Sequence, residues 1–61
     1  MKRYKFEVRN RKGLEFETEA SLNTLNEAKL YASGMTLMHK TRKVHIYELT
    51  ETGWDFILTI G

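Results

Sequence analysis

The chain has no cysteine and no proline. Without cysteine there is no disulfide staple, no thiolate zinc site and no cysteine nucleophile. No apolar run approaches the roughly 18–20 residues that span a bilayer, and the N-terminal residues lack the apolar core of a signal peptide. A cytoplasmic protein with no membrane role is therefore expected. Glycine is sparse, and Gly13, Gly34, Gly53 and Gly61 are scattered too widely to form a phosphate loop. His39 and His45 lack the ordered carboxylate and nucleophile neighbours of a triad, and two histidines alone do not complete a metal site. Ser21 and Ser33 fall in helix-cap and helix-surface contexts. These absences lead to the expectation of a protein that is not an enzyme, with no catalytic residue, cofactor or metal.

What is present fits one small domain, residues 1–61. At about this length a chain buries only roughly 60% of its unfolded surface. Hydrophobic content of 41% with 30% charged residues is that of a globular protein rather than a disordered one.

From Lys2 to Arg9 the apolar residues Tyr4, Phe6 and Val8 alternate with Arg3, Lys5, Glu7 and Arg9, the period of a half-buried strand. Asn10-Arg11-Lys12-Gly13 breaks it, and Gly13 can take the positive φ that closes a three-residue hairpin with a bulge. Leu14, Phe16, Thr18 and Ala20 then resume the inner face. Pairing Asn10 with Leu14 sets Val8 opposite Phe16, Arg9 opposite Glu15, Lys5 opposite Glu19 and, less favourably, Glu7 opposite Glu17.

Thr24 with Glu27 three residues on fits a capping box, with Asn23 and Ser21 as competing caps. Leu25, Ala28, Tyr31, Ala32, Met35 and Met38 recur at helical spacing and predict a helix over about 24–39. Gly34 within it points to close packing of helix on sheet, and His39 and Lys40 suit the last turn of the dipole. Residues 42–50 and 54–60 read as two further strands. Pairing Thr50 with Trp54 sets Ile46 opposite Leu58 and Val44 opposite Ile60, with Trp54, Phe56, Leu58 and Ile60 on the helix side. The fold class is α+β: a single ββαββ domain, a four-stranded antiparallel sheet with one helix packed on one face. The pattern leaves the strand order open.

One helix covers one face of such a sheet. The other face is expected to carry Arg3, Lys5, Glu7, Arg9, Glu15, Glu17 and Glu19 from the first hairpin. From the second come Lys43, His45, Tyr47, Leu49, Asp55, Ile57 and Thr59, among which Tyr47, Leu49 and Ile57 make an apolar patch rimmed by charge. A net charge of only +2 conceals blocks of +5 over residues 1–13, −4 over 14–28, +4 over 29–43 and −3 beyond. The basic clusters are the turn Arg9-Asn10-Arg11-Lys12 and the stretch His39-Lys40-Thr41-Arg42-Lys43. Brought together they would hold a phosphate backbone by counterion release, without base reading, since no aromatic RNA-binding motif, zinc finger or helix-turn-helix is present.

The stretch Gly13 to Gly53 resembles small phage-encoded ββαββ accessory proteins, in particular anti-CRISPR inhibitors of the type I-F surveillance complex. The residues carrying the resemblance are Glu17-Thr18-Glu19-Ala20-Ser21 leading into the helix, then Ala28-Lys29 and Ala32-Ser33, His39, the strand through Val44 and Ile46, and Gly53-Trp54. The resemblance implies a non-enzymatic module that occupies a nucleic-acid-binding groove on a host nucleoprotein and inhibits it, using exposed basic side chains. The expected partner-binding residues are Lys5, Arg9, Arg11, Lys12, Lys40, Arg42, Lys43, Tyr47 and Ile57. The alternatives are direct electrostatic binding of DNA or RNA, and a homodimer sealed through the open sheet face.

Overall fold

Alternation and capping in the sequence become five elements in a computed structural model that describes residues 1–37 and 42–61. They are β1 (Lys2–Asn10), β2 (Gly13–Leu22), α1 (Leu25–Thr36), β3 (Lys43–Thr50) and β4 (Gly53–Ile60), the expected ββαββ layout. The strands form one antiparallel sheet in the order β2-β1-β3-β4. This order puts the bulkiest inward residues at the centre. Tyr4, Phe6 and Val8 of β1 and Val44 and Ile46 of β3 are fully buried. The edge strands contribute smaller or half-covered groups, Ala20 and Leu22 from β2 and Leu58 and Ile60 from β4.

Helix α1 lies across this centre. Thr24 caps it, its Oγ1 accepting from the Glu27 backbone N–H at 3.2 Å. Ala28 and Ala32 face the sheet and are fully buried, small enough to let the helix approach closely, with Leu25 and Met35 flanking them. The Tyr31 ring extends this contact to Phe6 at 4.8 Å between centroids. The helix ends at Thr36, with Leu37 as its C-cap. The expected continuation through Met38 and His39, and the placing of Lys40, fall outside the described residues. Gly34 does not serve close packing: it is exposed, and a Cβ built on it meets nothing within 4 Å.

Both hairpins differ from expectation in the same way. The turns contain two residues, Arg11-Lys12 and Glu51-Thr52, so Asn10 pairs with Gly13 and Thr50 with Gly53. Gly13 and Gly53 have φ of +123° and +114°, a region that favours glycine. Each returning strand then carries one inserted residue, a bulge that restores the expected register farther along. In the first hairpin the insertion is Glu15, so Arg9 pairs with Leu14, while Val8–Phe16, Glu7–Glu17 and Lys5–Glu19 hold. In the second it is Ile57. Tyr47 pairs with Phe56, Glu48 with Asp55 and Leu49 with Trp54, while Ile46–Leu58 and Val44–Ile60 hold. Between turn and bulge the side chains of each returning strand are therefore on the opposite face from the one expected.

Re-aiming Glu15 has a structural result. Its carboxylate takes both the Nε (3.2 Å) and an Nη of Arg42 in a two-pronged pair, and the other Nη donates to the Met35 carbonyl at 2.9 Å. The Arg42 guanidinium also stands 5.9 Å from the Phe16 ring centre. With only 11% of its side chain exposed, Arg42 ties the end of α1 to the edge strand β2.

Candidate nucleic-acid interface

The open face is divided by its register into regions of different chemistry. On β2 stand Glu17 and Glu19, the latter held by Arg3 Nε at 2.9 Å. On β1, Glu7 accepts from the Tyr47 hydroxyl at 2.8 Å and lies 3.5 Å from an Nη of Arg9. Its hydrogen bond to Tyr47, and then burial, push the Tyr47 pKa above the usual phenol value. On β3 and β4 the face is aromatic. Phe56 lies edge-on to Tyr47 at 5.6 Å and to His45 at 5.9 Å, with interplanar angles of 68° and 61°. The Lys5 ammonium reaches across from β1 to lie 4.9 Å from the Tyr47 ring and 5.1 Å from the Trp54 ring. His45 is fixed by a 2.7 Å contact of its Nδ1 with Thr59 Oγ1.

At the turn end of the sheet the aromatic region meets a shallow basic depression lined by Arg9, Asn10, Arg11, Lys43 and His45. Arg9 and Lys43 are cross-strand partners, which brings the first basic cluster and the end of the second together. The Asn10 side chain organises the turn by accepting from the Lys12 backbone N–H at 2.8 Å.

The residues expected to contact a partner separate accordingly. Lys5, Arg9, Lys43 and Tyr47 share the open face, with Arg11 at its basic corner; Lys12 is an exposed turn residue. Arg42 is engaged by Glu15 and Met35 instead. Ile57 is the inserted residue of the β4 bulge, without a cross-strand partner and about one-third exposed. Lys40 lies outside the described residues. The patch expected from Tyr47, Leu49 and Ile57 is built in fact from Tyr47, Leu49, Trp54 and Phe56, and Phe56 is 56% exposed. Glu15 and Asp55 leave the open-face pattern through the same register shifts. The signal for the missing rings is Ile57, an apolar residue where the alternation of Asp55 and Thr59 calls for a polar one.

Among the described residues no group of three or more His, Asp or Glu side chains could hold a metal ion, and no helix is long and apolar enough to cross a membrane. Compared with protein-family models, curated proteins and solved structures, the chain matches none.

Proposed function

We propose that the protein is a non-enzymatic module that binds nucleic acid through the helix-free face of its sheet. The observation that carries this reading is the meeting of an aromatic surface (Tyr47, Trp54, Phe56) with a basic corner (Arg9, Arg11, Lys43, His45) on one face. Lysine and arginine hold phosphates through counterion release, and the exposed Phe56 ring with its half-buried neighbours supplies contact area that a purely solvated face does not need. If Arg9, Arg11 and Lys43 each meet one phosphate, binding weakens about 20- to 40-fold between 50 and 200 mM salt. A gel-shift titration with generic DNA, single-stranded and duplex, measures this. Arg11→Ala, in an exposed turn, is expected to lower the salt slope by about one while leaving the fold intact. Failure of both DNA forms to bind at 50 mM salt overturns the reading.

A second reading is contact with a host protein or nucleoprotein, with inhibition as its result, as the likeness to anti-CRISPR inhibitors implies. It is favoured by the apolar share of the same face, Leu49 and Phe56, both exposed. Capture of partners from host lysate with and without nuclease separates the two: a protein retained after nuclease treatment supports the second. A homodimer sealed through this face would bury the same rings, and light scattering at high concentration distinguishes it from a monomer.

A further inference from the structure

The geometry of the rings discriminates between forms of nucleic acid. In a duplex the flat faces of the bases are covered by their neighbours, and only the backbone and groove edges meet a protein surface. The protein's rings are not arranged to meet a continuous stack either. Phe56 is turned 68° from Tyr47 and 61° from His45, and the centroids are 5.6 and 5.9 Å apart. That spacing exceeds the roughly 3.4 Å between successive bases on one duplex strand. Bases that lie on these rings must be free to turn individually. Charge confines the strand further. Glu17 on β2 repels phosphate from one side of the face, where Glu19 is paired with Arg3, while Arg9, Arg11 and Lys43 attract it at the turn end. Lys5, between the Tyr47 and Trp54 rings, offers a cation at the far end of the aromatic region.

We infer that the β3–β4 half of the open face is a binding site for single-stranded nucleic acid. Phosphates lie along Arg9, Arg11 and Lys43, and an unstacked base settles on the exposed Phe56 ring, with the half-buried Tyr47 and Trp54 rings beside it under Lys5. This rests on the reading of the open face as a nucleic-acid surface, and narrows it from phosphate contact to base stacking. Stacking of this kind tolerates any sequence, because every base has a flat face.

The chain contains a single tryptophan, Trp54, so its fluorescence reports directly from the site. The probes are an oligothymidylate of about 12 nucleotides, within the usual span of single-strand sites, and a duplex of equal length. The oligothymidylate is expected to quench Trp54 saturably and to bind about tenfold or more tightly than the duplex at equal salt. Phe56→Leu, which keeps apolar bulk but removes the ring, is expected to weaken single-strand binding about 5- to 150-fold and duplex binding by less, since a duplex offers the ring no open base face. Phe56 is more than half exposed, so this variant is expected to keep the far-ultraviolet circular dichroism of the parent. Trp54→Phe keeps a ring and is expected to retain affinity, read by anisotropy of a labelled strand. Equal, salt-sensitive binding of both forms with unchanged Trp54 emission overturns base stacking and leaves the broader reading standing. No binding of either form at low salt overturns both.

Discussion

Tyr4 is buried at the centre of the sheet, yet its hydroxyl makes no hydrogen bond among the described residues. Burial, followed by the charge of its cross-strand partner Glu48 and by the nearness of that carboxylate to the hydroxyl, short of hydrogen-bond geometry, raises its pKa above the ordinary phenol value. A buried polar atom without a partner carries a desolvation penalty that replacement by a matching apolar group removes. Tyr4→Phe is therefore expected to raise stability by about 1 kcal/mol, read from the urea midpoint at pH 7. The pH dependence has a definite sign. A phenol whose folded pKa lies above its unfolded value contributes stability in full below the unfolded value, near 10. That contribution is lost as pH rises through the folded value. Stability should fall above about pH 10, and less steeply in Tyr4→Phe, where Tyr47 is the remaining raised phenol. An unchanged slope in that variant would contradict the assignment.

At the scale of elements, the two hairpins and the helix show what local pattern carries. The Thr24 cap, the Ala28–Ala32 contact stripe and the apolar rows of β1 and β3 were legible, because each depends on residues a few positions apart. The bulges were not. In β2, Glu15 keeps a perfect alternation, and only the long-range pull of Arg42 gives its displacement a structural use. In β4 the insertion comes four pairs after the turn instead of two, so the misplaced residues include Trp54 and Phe56, the rings that define the candidate site. The basic corner was legible as two clusters, but their union needed the β1–β3 pairing, which no local pattern contains. Glycines give the test at this scale. Gly34→Ala fills open space in a helix interior and should stabilise by about 1 kcal/mol. Gly53→Ala forces an L residue to φ near +114° and should cost about 1–3 kcal/mol. Thermal or urea unfolding of the two variants should move in opposite directions.

For the whole molecule the margin is narrow. A domain of this length is worth roughly 3–9 kcal/mol in total at the usual stability per residue. Phe6 is fully buried between the central strands and α1, touching the Tyr31 ring, and truncation of such a residue costs about 3–5 kcal/mol. Phe6→Ala is expected to leave the chain largely unfolded at 37 °C, which far-ultraviolet circular dichroism would show; a cooperative transition above that temperature would mean the core tolerates the loss. The strand order β2-β1-β3-β4 adds a consequence for synthesis. The two central strands come from different hairpins, so neither hairpin owns a core. As the chain leaves the ribosome, the apolar row of β1 stays uncovered on one side until β3 has emerged through Thr50. Neither hairpin can therefore cover its own apolar row, and the two must fold as one indivisible unit.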